Sequence, residues 1–377
     1  MPTSPTALAR ALLAGSCTVL VLAGCSTDAE PQASTSGGPG PVQVKATDDE
    51  CALSRTELPA GVTRFAITNG GSQVTEVYVY EGDRIVTEKE NIGPGTSYDL
   101  TVDLPEGKYQ VACKPGMTGN GIRTDITVSG DAKADPVARR AADQYREWVG
   151  AQATELVPLV EQLVAAVKAG DVEKAKSLYA ISREPWERIE PVAESFGDLD
   201  PRIDAREADL EPGQELTGWH RLEKALWTGE DLSGLAPVAD QLLADVKELQ
   251  QRVPNAVITA TSIGNGAKEL LDEVATGKVT GEEEVFSHTD LYDFGANVEG
   301  AQKGFEVLRP LVERNDAKLA ATLDEKFAGV RDALAAYRQG DGYVSYDTVD
   351  EQGRRELARV VDSLGEPLSR LASTAAG

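Results

Sequence analysis

The sequence predicts two domains of different class in series, a β-sandwich over residues 42–130 followed by an all-α helix bundle over residues 137–377. Three observations carry that reading. Short runs rich in β-branched and aromatic residues recur at regular spacing in the first region, each closed by Gly, Pro or Asn. From Val137 onward the apolar residues fall at helical spacing instead. A polar joint over residues 131–136 separates the two patterns.

Ahead of the sandwich, residues 1–24 read as a signal peptide and residues 25–41 as a tether. Arg10 is the only charge before the apolar run Ala11–Ala23, which has the length of a signal h-region and is too short to span a bilayer. The run ends at Leu22-Ala23-Gly24-Cys25, which resembles the bacterial lipobox, where the cysteine becomes the lipid-bearing N-terminus. Ser26–Pro41 is almost all Ser, Thr, Gly, Pro, Ala and acid, a flexible spacer that cannot bury a core. The expectation is an exported lipoprotein, anchored through Cys25 to the outer face of the cell membrane.

Within the sandwich, Thr63–Thr68 alternates and stops at Asn69-Gly70-Gly71. Val74–Tyr80 is β-branched and aromatic and ends at Glu81-Gly82-Asp83. Thr96–Leu104 alternates again before Pro105-Glu106-Gly107, and Lys108–Cys113 and Ile122–Val128 complete the set. In the bundle, Ala141, Tyr145, Trp148, Leu156, Leu159, Val160 and Leu163 mark a first long helix that Gly170 stops. Further helices are expected near 171–195, 215–227, 235–253, 255–276, 286–313, 316–338 and 350–373, punctuated by Pro and Gly.

Asp plus Glu number 62 against 37 Lys plus Arg, a net charge of −25. Such a surface repels nucleic acid and polyanions and is compatible with cations. No P-loop, dinucleotide fingerprint or nucleophile elbow occurs in the chain. With Cys17 inside the signal and Cys25 carrying lipid, Cys51 and Cys113 remain. Outside the cytoplasm such a pair is either a disulfide or, with Glu76 on the strand between and Met117 just beyond, a soft metal site.

The chain has only two histidines. His220 and Glu223 stand three apart, so a helix aims the imidazole and the carboxylate at one point. Glu187 and Glu190 repeat that spacing upstream, and Asp198, Asp200, Asp204 and Glu207 follow. Helices turning these groups inward would build a His-plus-carboxylate site suited to Fe, Zn or Mn. Solvated acids are the alternative. His288 lies in Ser287-His288-Thr289-Asp290, where Asp293 can orient the ring or Ser287 and Thr289 can cap a helix.

The words Arg183-Glu184-Pro185-Trp186-Glu187-Arg188-Ile189-Glu190-Pro191, Asp198-Leu199-Asp200, Ile203-Asp204-Ala205-Arg206-Glu207, Gly218–Leu226 and Ser287–Leu291 occur in this order, and together the chain resembles the EfeO-type component of Efe iron-uptake systems. Proteins of that type pair a cupredoxin-like β-sandwich with an imelysin-like helical domain carrying a His-x-x-Glu motif. The resemblance spans residues 42–377 and implies capture of iron, as Fe2+ or Fe3+, and its delivery to a membrane iron permease, alongside a haem-peroxidase-like component. It implies His220, Glu223, Asp204, Glu187 and Glu190 as the helical-domain site, with zinc as a possible surrogate. It implies Cys51, Glu76 and Cys113, with Met117 beside them, as a β-domain site that holds copper or handles iron oxidation. That set lacks histidine and so departs from a blue-copper centre.

Three functions compete: an iron-binding transport component, copper-assisted oxidation of ferrous iron in the β domain, and a metallopeptidase. Zinc peptidases of the common type need His-Glu-x-x-His, whereas His220 is followed by Arg221 and position 224 is Lys. Transport is the leading expectation.

Overall fold

The β-branched runs do form strands, and their alternation decides which face each residue occupies. The computed structural model describes residues 40–132, 135–210 and 213–377; the expected signal peptide, Cys25 and the tether up to residue 39 lie outside them. One sheet has the order β2 (Cys51–Leu53), β1 (Val42–Ala46), β4 (Gly61–Asn69), β7 (Ser97–Leu104). The other has the order β3 (Glu57–Pro59), β9 (Ile122–Ser129), β8 (Gly107–Pro115), β5 (Thr75–Glu81), β6 (Arg84–Ile92). Every second residue turns inward: Val42, Val44, Phe65, Ile67, Leu100 and Val102 from the first sheet meet Val77, Val79, Val111, Ile126 and Val128 from the second.

Strand β6 has no counterpart among the expected strands. Its sequence, Arg-Ile-Val-Thr-Glu-Lys-Glu-Asn-Ile, lacks the apolar alternation of the others. It pairs with β5 at the sheet edge. Its polar side chains are explained by what covers them, because the Lys89 ammonium meets Asp272 at 2.8 Å and the Asn265 amide donates to Thr87 Oγ1 at 2.9 Å.

The helical domain opens with α1 (Pro136–Lys168), capped by Asp135, which accepts from the Val137 amide, with Pro at the first turn where no N–H is needed. It packs against α2 (Val172–Glu187) and α6 (Ala236–Arg252). Between these run the short helices α3 (Glu190–Glu194) and α4 (Asp200–Ile203), then α5 (Gly218–Thr228). Helix α7 (Ala260–Glu273) begins with a capping box between Thr259 and Ser262 and continues into a π turn over Val274–Lys278. The two helices expected over 286–313 and 316–338 run on as α8 (Asp290–Ala335), broken at Asp316 by non-helical φ −153° and ψ 81°. The Asp316 carboxylate accepts from the Leu319 amide at 3.0 Å, a cap for the second half. Helices α9 (Glu351–Leu368) and α10 (Leu371–Ala376) close the bundle.

Residues 41–377 form one compact unit. The sandwich leans on α7: Thr261 Oγ1 accepts from the Asp103 amide at 2.9 Å, and Asn265 donates to the Thr101 carbonyl at 3.0 Å. Among the described residues no helix is long and apolar enough to cross a membrane.

Candidate metal centre

Helical periodicity and one close approach assemble a charged centre inside the bundle. On α2, Arg183 and Glu187 lie one turn apart on the inward face and are fully buried. Asp204 follows α4, and α5 begins against that same turn. Gly218 makes the approach possible: its φ is +64°, and a Cβ there would fall 1.9 Å from the Ile203 carbonyl oxygen. Only glycine lets α5 start so close, and that start carries His220 to Asp204. The irregular segment before α8 then contributes Glu283 and Glu284 from the opposite side.

The His220 ring is 3 % exposed. Its Nδ1 lies 3.3 Å from Glu223 Oε2, and its Nε2 lies 3.4 Å from Asp204 Oδ1 and 3.8 Å from Glu283 Oε1. Glu223 is fixed in turn, because Oε1 accepts from the backbone amides of Phe286 at 2.9 Å and Ser287 at 2.7 Å. Asp204 is fixed by the Trp186 indole, which donates to Oδ2 at 2.7 Å. His220 Nε2 is buried and has no hydrogen-bond partner. A buried ring nitrogen that faces two carboxylates without a hydrogen bond to either is a donor set arranged for a cation, and one nitrogen with several oxygens suits Fe, Mn or Zn.

Protein cations hold the surrounding carboxylates. The Arg183 guanidinium pairs closely with Glu187 and Asp204, and meets Glu284 at 2.8 Å, Asp293 at 3.2 Å and Glu283 at 3.6 Å. Lys278, turned inward by the π turn, meets Glu273 at 2.9 Å, Glu187 at 3.0 Å and Glu190 at 3.5 Å. Eight carboxylates of this domain centre (Glu187, Glu190, Asp204, Glu223, Glu283, Glu284, Asp290 and Asp293) are buried, against Arg183 and Lys278 as buried permanent cations.

The electrostatics follow. Burial alone would discharge His220, but the Glu223 carboxylate at Nδ1 and the Glu283 carboxylate nearby outweigh that and push it up to about 9. Glu283 is held well below the usual carboxylate range despite burial, by Lys278, His220 and Arg206. Burial drives Glu284 and Asp293 well above that range, with Arg183 pulling the other way. The centre therefore holds a positive imidazolium and guanidinium where a metal would place its own charge.

The structure brings His220, Glu223, Asp204 and Glu187 together, and Glu190 joins them through Lys278 and the Asn297 amide, which reaches Glu187 Oε2 at 3.0 Å and Glu190 Oε2 at 3.4 Å. Sequence reasoning missed Glu283, Glu284, Asp293, Arg183 and Lys278 as parts of the centre. His288 lies elsewhere: it is half-exposed and faces Asp347 at 3.4 Å, and Asp293 serves Arg183 instead of orienting it.

The expected β-domain site is not formed, and that expectation is corrected. Cys51 and Cys113 are joined in a disulfide, so neither sulfur is a thiolate ligand. Both point into the sandwich core beside Val77. Glu76, one residue before Val77, turns to the other face of β5 and meets Lys114 at 3.6 Å. Met117 lies in the turn after β8, 39 % exposed and with φ +57°. These four residues share no centre, and the residues present do not fit copper.

The family model for imelysin matches residues 141–371, and that for a cupredoxin-like domain matches residues 15–128. Proteins named iron uptake system component EfeO from Escherichia coli (strain K12) and from Shigella flexneri are each 40% identical over 340 residues, covering 88% of this chain and 90% of theirs. A putative iron-regulated protein A precursor from Parabacteroides distasonis ATCC 8503 superposes with a TM-score of 0.48 at 15% identity, over 66% of this chain and 98% of that one.

Proposed function

The chain belongs to the EfeO family of iron uptake system components, a cupredoxin-like domain followed by an imelysin domain, and on that premise we propose that His220, Glu223, Asp204 and Glu283 capture iron for delivery to a membrane iron permease. The observation that carries the reading is the buried, unpartnered Nε2 of His220, set between Asp204 and Glu283. Glu187 stands one step behind, held by Arg183 and Lys278, and Glu190 behind Lys278. The work is done outside the cytoplasm, with the lipid on Cys25 and the loose segment after it keeping the chain within reach of the permease. A haem-peroxidase-like component completes the same system.

Binding without catalysis is the chemistry this arrangement favours. His-Glu-x-x-His is absent from the sequence, and the disulfide removes the thiolates that copper-assisted oxidation needs. Calorimetric titration of the full chain with Fe2+ under anaerobic conditions tests the site. His220→Gln is expected to weaken binding at least tenfold, about 1.4 kcal/mol, and also to lower apo stability, because the contact of Nδ1 with Glu223 is lost with the ring; circular dichroism checks that the variant is folded. A titration identical to wild type would remove His220 from the site.

A further inference from the structure

A second group of carboxylates lies where the two domains meet, apart from His220. Ligand oxygens of Glu190, Glu194 and Glu273 all lie within 4.8 Å of one another. They come from α3 and from the end of α7, the two helical elements that face strand β6. A cavity of about 30 Å³ opens beside them, lined by Glu194 and Glu273 from the helical domain and by Glu88 and Glu90 from β6. That is room for a single ion or water.

Glu88 supplies the independent observation. It is 8 % exposed, and its Oε2 has no hydrogen-bond partner although it lines this cavity. A carboxylate oxygen withdrawn from water with no donor is unfavourable. Lys89 answers to Asp272 at 2.8 Å and Lys114 to Glu76 at 3.6 Å, whereas Lys278 meets Glu273 at 2.9 Å and Glu190 at 3.5 Å and so offsets part of the charge of these two acids, leaving Glu194 and Glu88 to a further cation. The same Glu88 also borders a larger cleft of about 800 Å³, with Tyr78, Tyr80, Glu90, Glu194 and Asp200, so the group can be reached from solvent.

We propose that the domain junction holds a second cation site, with Glu190, Glu194 and Glu273 as helical-domain donors and Glu88 as the donor from the β domain, and that it takes a hard di- or trivalent cation. An all-oxygen set selects hard ions, in contrast to the mixed set around His220. That the cation is iron rests on the function proposed above; the site itself rests on Glu88 and its three partners. Lys278 joins the two centres, its ammonium meeting Glu187 of the first and Glu190 and Glu273 of the second. Strand β6, a charged edge strand, then has a role in placing a ligand against the bundle.

Titration of the full apo chain with Mn2+, counting bound ions by loss of the free-ion paramagnetic resonance signal, tests the proposal. Wild type is expected to bind two ions. Glu194→Gln and, separately, Glu88→Gln are expected to lose one of them or weaken it at least tenfold, while the other is unchanged. His220→Gln is expected to lose the other. Glutamine keeps the side-chain volume, and circular dichroism checks folding; should Glu194→Gln not fold, Glu88→Gln on β6 carries the test. Wild-type binding in both glutamate variants overturns the junction site, as does a single ion that only His220→Gln removes. An ion lost in Glu88→Gln with none lost in His220→Gln keeps the junction site and removes the His220 assignment instead.

Discussion

The sandwich and the bundle each carry a group of potential ligand residues, and only the bundle brings its group together. On a strand, neighbours alternate across the sheet, so Cys113 and its partner Val77 enter the core while Glu76 leaves it. On a helix, residues three or four apart share a face, so Arg183 reaches Glu187, and His220 reaches Glu223. Spacing along the chain thus means different things in the two domains. The sandwich core is apolar and closed by a covalent bond. The bundle core is interrupted by charge, and its stability depends on how completely that charge is paired.

Removing the central cation is the strongest way to break the contrast. Arg183→Met keeps an unbranched apolar stem but removes the guanidinium, leaving Glu187, Asp204, Glu284 and Asp293 without their shared partner in a buried setting. Breaking a buried ion pair from one side costs about 3–5 kcal/mol, and here one group serves several acids. We expect the variant to lose at least that much by chemical denaturation, or to fail to fold. A loss under about 1 kcal/mol would mean that the surrounding acids are already neutral and need no guanidinium.

The sandwich should lose less, and for a different reason. The disulfide closes a loop of 62 residues, which by loop-closure entropy is worth about 4 kcal/mol, with about 2–4 typical of measured cases. The double variant Cys51→Ala/Cys113→Ala is expected to lower stability by about 2–4 kcal/mol while leaving the number of bound metal ions unchanged. Loss of a bound ion with the sulfurs would restore them as ligands and sink the distinction between the domains.

The same periodicities explain what was legible in the sequence. Strands β4, β5, β7, β8 and β9 were readable because one face is apolar; β6 was not, because Glu88 and Glu90 line a cavity against the helical domain and Lys89 from the other face reaches Asp272, so no apolar alternation marks it. His220 with Glu223 was readable from helical spacing. Glu283 and Glu284 sit in an irregular segment with no period to place them, and a run of three acids there looks like solvated surface. Lys278 escapes because the π turn adds a residue and rotates the face of α7. Arg183 reads as half of an ordinary surface pair with Glu187, and only the tertiary fold shows both fully buried.

The smallest expected effect separates the junction acids from the centre around His220. Burial, then the charge of Asp204, pushes Asp200 up to about 8. Burial, then Glu76 and Glu273, pushes Glu90 up to about 7. A carboxyl whose folded value is raised holds a proton that the unfolded chain has already released, so the folded state binds more protons between about pH 4 and about pH 8. Stability then falls as pH rises through that window, the reverse of a salt-bridged carboxylate. Apo protein is expected to show a Tm lower by a few degrees at about pH 8 than at about pH 5.5. Asp200→Asn, which keeps the neutral form at every pH, is expected to flatten part of that slope. Measured by calorimetry at constant ionic strength, a Tm that instead rises between those pH values would show that the junction acids are ionised and paired, so that the two regions carry charge in the same way.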